Sequence, residues 1–223
     1  MGGMAIIHRT TLVPTKLELL TSWLPGRTWY LGETPAPSLT KAGGFRLDDP
    51  DGEVGLEFMA VTDDSGDEPV TYHVPLSYRA APLPGGAGAL IGTAEHGVLG
   101  ARWIYDGTRD PVLVTQMFAL LLGEAEPQAQ SISETMDPSV TRSITGNTGA
   151  LPVKVASVRD ETRSTDITVR PAAAPRPLML RVNRVLRSTG PGIMIGTLGH
   201  VTAEWADPGA ARSRGRFIVL RVP

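Results

Sequence analysis

Cysteine does not occur in this chain of 223 residues. Disulfide scaffolds, thiolate metal sites and cysteine nucleophiles are thereby excluded. Aromatic residues are sparse, at 5%. No stretch approaches the roughly 20 consecutive apolar residues that a membrane-spanning helix needs. An excess of one charge is lacking too: 21 Lys plus Arg stand against 23 Asp plus Glu, for a net charge of −2. A nucleic-acid surface normally needs a basic excess to neutralise phosphates, so that partner class is disfavoured. The opening MGGMAIIHRTT has no basic segment followed by an apolar run, so no secretory signal is expected. It also departs from the myristoylation pattern, with Ile6 where Ser or Thr is required. These absences predict a cytoplasmic protein with no membrane partner.

What is present is a globular composition, 41% hydrophobic and 20% charged. The 25 glycines and 19 prolines punctuate short apolar runs, a pattern of many short strands joined by turns. In VTYHVPLSYR (70–79), Val70, Tyr72, Val74, Leu76 and Tyr78 alternate with Thr71, His73, Ser77 and Arg79. That period predicts a strand with one face on the core and one in water. Pro75 cannot donate to a ladder and points to a sheet edge or bulge. GEVGLEFMAVT (52–62), PLMLRVNRVL (177–186), GHVTAEWA (199–206) and GRFIVLRV (215–222) read as further strands. Along 199–206, Val201, Ala203 and Trp205 face the core, and His200, Thr202 and Glu204 face out.

Two helices are predicted. In 14–25, Thr15 and Glu18 have capping-box spacing ahead of Leu17, Leu20 and Leu24. In 109–125, Asp110 suits the N-cap, Pro111 the first turn and Gly123 the C-terminal cap. Val114, Met117, Phe118 and Leu121 then form one apolar stripe. Between 123 and 150, Ser, Thr, Gly and Pro dominate and apolar periodicity vanishes, which places a boundary there.

Chemical motifs are mostly absent. GGAGALIG (85–92) and TGPGIMIG (189–196) match neither the dinucleotide fingerprint nor the phosphate loop. LDDPDG (47–52) hints at a calcium loop, but Leu47 and Phe58 occupy the first and twelfth ligand positions. The four histidines, His8, His73, His96 and His200, form no H-x-x-x-H pair. No metal or cofactor is expected. EHGVLGARWIYDG (95–107) is dense in functional groups. In an extended chain Arg102 and Asp106 lie roughly 13 Å apart, too far for a direct pair. Trp103 and Tyr105 then take the opposite face, and the density reads as one strand with two faces rather than a catalytic site. Glu95 and His96, next to Gly97 and Gly100, are the residual ligand candidates there.

ALIGTAEHGVLGARWIYDGTRDPVLV resembles the N-terminal cap domain of actinobacterial maltokinases and related aminosugar kinases. HRTTLVPTKLELLTSWLPGRTWY (8–30), GGFRLDDPDGEVGLEFMAV (43–61), YHVPLSYRAAPL (72–83) and AEPQAQS (125–131) extend the resemblance over most of 4–131. It implies an α+β fold: a curled antiparallel sheet packed on helices, cystatin-like. A mainly antiparallel β module is expected to follow, giving a cap-like domain at 1–131, a linker at 132–150 and a β-rich module at 151–223. The resemblance brings no catalytic residue, because none of the four histidines begins an H-G-D loop and no D-F-G-like magnesium site follows. Arg181 and Arg184 stand where a kinase strand would carry a phosphate-pairing Lys.

The reading is therefore a non-catalytic interaction or regulatory module linked to glucan, trehalose or aminosugar metabolism. Its expected partner is a kinase, another protein of carbohydrate metabolism, or a second copy. The alternative is a sugar-binding protein, with Trp29, Tyr30, Trp103 and Tyr105 as stacking surfaces and His73 and Arg102 as polar contacts. A third reading, a glucan-acting enzyme, would need two carboxylates from among Glu53, Glu57, Asp106 and Glu204 at a set separation.

Overall fold

The computed structural model describes residues 12–33, 36–130, 135–146, 148–189, 196–208 and 210–223. His8, residues 190–195, and 132–134 and 147 of the expected linker lie outside them. The first part of the chain holds β1 (Leu12–Val13), α1 (Lys16–Trp23), β2 (Leu39–Leu47), β3 (Gly55–Asp63), β4 (Val70–Arg79), β5 (Leu90–His96), β6 (Gly100–Asp106), α2 (Pro111–Leu122) and β7 (Gln128–Ala129). The second holds β8 (Thr141–Ile144), β9 (Ala150–Asp160), β10 (Ser164–Ala172), β11 (Leu178–Asn183), β12 (Thr197–Asp207) and β13 (Ala210–Arg221). They form one antiparallel sheet of 13 strands, in the order β1-β5-β6-β4-β3-β2-β12-β13-β11-β10-β9. β7 pairs with β2 and β8 with β12.

The helix ends form as their residues dictate. Thr15 Oγ1 accepts from the Glu18 amide at 3.3 Å, and Glu18 Oε2 accepts from the Thr15 amide at 2.7 Å, a reciprocal capping box. Asp110 Oδ1 accepts from the Val112 amide at 3.0 Å. Gly123 closes α2 at φ +83°, a left-handed conformation in which a side chain is strained. α2 buries eight residues, from Leu113 to Leu121, around most of its circumference. A helix apolar on so many sides must be enclosed rather than laid on a surface.

The enclosure comes from strands. Leu56, Phe58 and Ala60 of β3 face a core shared by Val114, Met117 and Phe118 of α2 and by Ile167, Leu180, Phe217 and Ile218 of the later strands. Met59 and Val61 of β3 face a second core with Leu20, Trp23 and Trp29 around α1, and Tyr72, Val74 and Leu76 of β4 face it too. The α+β expectation of a curled, cystatin-like sheet packed on a helical layer is therefore overturned. Strands take up about half of the described residues, and the only α-helices among these are α1 and α2. The later strands do the covering that a helical layer was expected to do. They also extend the first sheet, through a Trp205–Gly43 pairing of β12 with β2.

The expected wet face of β4 is corrected for the same reason. Thr71, His73 and Ser77 are buried, because β4 lies inside the sheet and both its faces are covered. Pro75 occupies a local edge. The His73 amide turns away from β3 to donate to the Arg184 carbonyl at 2.8 Å. Pro75, two residues on, turns its nitrogen to that same side, just beyond the Leu76–Asp106 pair where β6 ends.

Gly44 sits at φ +125°, and a Cβ there would lie 2.0 Å from the Phe58 carbonyl oxygen. Gly44→Ala should therefore lower stability in urea unfolding by roughly 2–4 kcal/mol, through clash and backbone strain together. Gly52→Ala, at φ +71° in open space, should cost about 1–2 kcal/mol, from strain alone.

Candidate functional site

The stretch 95–107 is the β5–β6 hairpin and its continuation. His96 pairs with Gly100 at the tip, and its Nδ1 accepts from the Val98 and Leu99 amides at 3.4 and 3.1 Å. Glu95 is exposed, while Arg102 and Trp103 are half-buried. Arg102 Nη1 donates to the Ala101 carbonyl at 2.8 Å. Tyr105 is buried, and its hydroxyl accepts from the Leu83 amide at 2.9 Å. The functional groups thus divide between an exposed tip and a buried base.

The other aromatics named from sequence gather elsewhere. Trp29 is fully buried, its ring 5.7 Å from Trp23 and 6.1 Å from Tyr72. The Tyr30 ring lies 5.5 Å from Tyr72, and its hydroxyl donates to Asp63 Oδ2 at 2.8 Å. His73, on the opposite face of β4, is enclosed by Phe217 at 4.5 Å and Phe58 at 6.0 Å. Its Nδ1 lies 3.2 Å from the Asn183 carbonyl. Burial, and then the Arg184 charge, push the His73 imidazole down to about 3, so it is neutral.

Asp106 pairs with Arg184 rather than with Arg102. Arg184 is fully buried, and its Nη2 donates to Asp106 Oδ2 at 2.5 Å and to Thr108 Oγ1 at 2.9 Å. Its Nε donates to Thr165 Oγ1 at 2.8 Å, and its guanidinium carbon lies 4.7 Å from the Trp29 ring centroid. One side chain therefore binds β6, β10 and the α1-side core together. A second buried acid, Glu57, accepts from Lys16 Nζ at 2.7 Å, the Tyr78 hydroxyl at 2.5 Å and Gln130 Nε2 at 3.0 Å. Burial pushes the Glu57 carboxyl up, but Lys16 and the Tyr78 hydroxyl outweigh it and hold the carboxyl below its ordinary value.

Sequence reading did not find either cluster. The signal for Glu57 was its place in a strand whose later residues are apolar on both faces. Arg184 carried none, since its acid lies 78 residues away. Of the four carboxylates considered for glycan chemistry, Glu57 and Asp106 are held by separate cations and Glu204 lies 3.4 Å from both Arg212 and Arg214. Among the described residues no group of three or more His, Asp or Glu side chains is placed to hold a metal. No helix among them is long and apolar enough to cross a membrane.

Cavities among the described residues include two that open on the surface. One, of about 370 Å³, lies by the Leu83–Ala89 turn, beside Arg109 and Val158. The other, of about 430 Å³, lies between the β4 entrance (Glu68, Thr71), the 185–188 segment and Trp205. None of Glu53, Glu57, Asp106 and Glu204 lines either cavity.

The architecture defines an antiparallel β protein in which the buried acids Glu57, Asp106 and Asp110 are paired with cations and the β5–β6 hairpin tip is exposed. Residues 23–110 match the family model of the maltokinase N-terminal cap domain. The match takes in β2 to β6 and stops at the N-cap of α2. No curated protein matches the chain.

Arg184→Met should lower stability by roughly 3–5 kcal/mol in urea unfolding, because Asp106 is left buried without its cation. Adding Asp106→Asn should recover part of that loss. His73 gives a pH signature. Its folded value of about 3 lies below the ordinary 6.5, so the unfolded chain binds the extra proton. Stability from this group is complete above about 6.5 and is lost as pH falls toward 3, at up to about 1.4 kcal/mol per pH unit. His73→Phe should flatten that dependence between pH 6.5 and 4.5, measured by denaturation at each pH.

Proposed function

We propose that this chain is a cap-like interaction or regulatory module without catalytic chemistry of its own, working in the cytoplasm. Its partner is a kinase or another protein of glucan, trehalose or aminosugar metabolism. The observation that carries the reading is the cap-domain match over 23–110 in a sequence with no H-G-D or D-F-G-like kinase residues. The hairpin tip supports it. Val98 and Leu99 are 61% and 46% exposed, and Val13, 63% exposed, lies on the adjoining strand opposite Glu95. A cluster of apolar side chains at an exposed sheet edge favours contact with another protein.

The Val98→Asp, Leu99→Asp double variant tests this. Both side chains are exposed, so the circular dichroism spectrum and melting temperature should stay as in the parent. A purified sugar kinase or other carbohydrate enzyme retained by the parent chain should bind the variant at least about tenfold more weakly. The reading is overturned if the purified chain phosphorylates maltose or glucosamine from ATP. It is also overturned if the parent retains no specific partner and light scattering shows a monomer.

A further inference from the structure

The cavity beside Trp205 has fixed walls. Its volume of about 430 Å³ falls within the range of roughly 300–1,000 Å³ for small-molecule sites. One wall is the 185–188 segment. The Val185 amide donates to the Arg163 carbonyl at 3.2 Å and the Leu186 amide to the Thr71 carbonyl at 2.8 Å. Just beyond, the Thr189 amide donates to the Arg214 carbonyl at 3.0 Å. The Arg187 carbonyl is seated against Gly215, where a Cβ would lie 2.3 Å from it. A wall held in this way loses little freedom when a ligand binds. Trp205, itself buried, supplies apolar surface.

The polar groups of the rim have two signs. Arg163 and Arg187 line it, both exposed, and neither guanidinium forms an ion pair or a side-chain hydrogen bond among the described residues. Asp207 is held in place by the Ser213 hydroxyl, which donates to it at 2.6 Å and accepts from the Ser188 hydroxyl at 2.8 Å. Glu68 adds a second carboxylate. Guanidinium groups donate in a fixed fork that suits phosphate and carboxylate oxygens. The two carboxylates accept from hydroxyl groups and repel further negative charge.

The geometry points to a binding site for a compact anionic polyol: one phosphate or carboxylate head met by Arg163 and Arg187, with hydroxyls turned toward Asp207, Glu68 and Ser188. The acids limit the ligand to one anionic head, which disfavours polyphosphates. This site goes beyond the interaction reading and does not rest on it, because the tip at Val98 and Leu99 is a separate surface.

Calorimetric titration of the full chain tests the proposal, with glucose 6-phosphate as the phosphate arm, gluconate as the carboxylate arm and glucose as the neutral control. At least one anionic polyol should bind with a Kd at or below about 1 mM, and glucose at the same concentration should not. Binding in one arm alone identifies the head group; binding in both supports the shared chemistry. Arg163→Ala and Arg187→Ala should each weaken binding at least about tenfold, while Arg170→Ala, exposed and away from the cavity, should leave it unchanged. Unchanged melting temperatures will show that the exposed-arginine variants fold. The proposal is overturned if neither anion binds up to about 10 mM. It is equally overturned if glucose binds as tightly, or if the Arg163→Ala, Arg187→Ala double variant binds like the parent. None of these outcomes bears on partner capture through the hairpin tip.

Discussion

Arg184 is a charged side chain taken wholly out of water, and the rest of the chain is arranged around it. Desolvating a guanidinium costs several kcal/mol, and only close, well-directed partners offset that. Asp106 supplies the opposite charge, Thr108 and Thr165 accept two further bonds from Nη2 and Nε, and Trp29 presents its ring face, while Nη1 is buried without a hydrogen-bond partner. These partners come from the first and second parts of the sequence alike. The Arg184 backbone does related work, accepting from the His73 amide and donating to the Arg163 carbonyl. A single residue thus fixes the approach of β4, β6 and β10 through both its main chain and its side chain.

That dependence follows from how thin the backbone joint is. β2 and β12 meet at one residue pair, Gly43 with Trp205, and β4 meets the 184–186 segment at a second, the Tyr72–Val185 bridge, so few ladder bonds join the two halves of the sheet. Side chains add to them. Phe45 and Phe58 stack at 4.6 Å, and Phe217 from β13 approaches Phe45 at 6.0 Å and Trp205 at 6.1 Å. Beside Trp205 the 185–188 segment forms one wall of the cavity, held by backbone bonds to Thr71 and Arg163.

The local features were legible because their causes are local. The capping box of Thr15 and Glu18, the Asp110 cap and the Gly123 stop depend on residues a few positions apart, and each forms as its spacing requires. The 70–79 strand has the bounds its alternation suggests. What its alternation could not give was the second covering layer. His73 looks like part of a solvent face until segments more than a hundred residues away close over it. Arg184 was illegible for the same reason. Arginine is rarely buried, and nothing near it in sequence announces that Asp106 will meet it. The expectation of a helical layer failed because α2 is itself the enclosed element, buried by strands of the second half.

Three buried carboxylates of the interior are engaged in holding the sheet. Glu57 accepts from Lys16, Tyr78 and Gln130, Asp110 is bound by both ends of the Arg79 fork, and Asp106 by Arg184. A carboxylate fixed by a permanent cation and several donors is poorly placed to exchange a proton with a substrate, and Glu57 is held below its ordinary value for this reason. His73 is kept neutral behind Phe58 and Phe217. Outside these clusters, Arg163 and Arg187 stand on the rim of the junction cavity, and Val98 and Leu99 are exposed at the hairpin tip. Both are features for recognition.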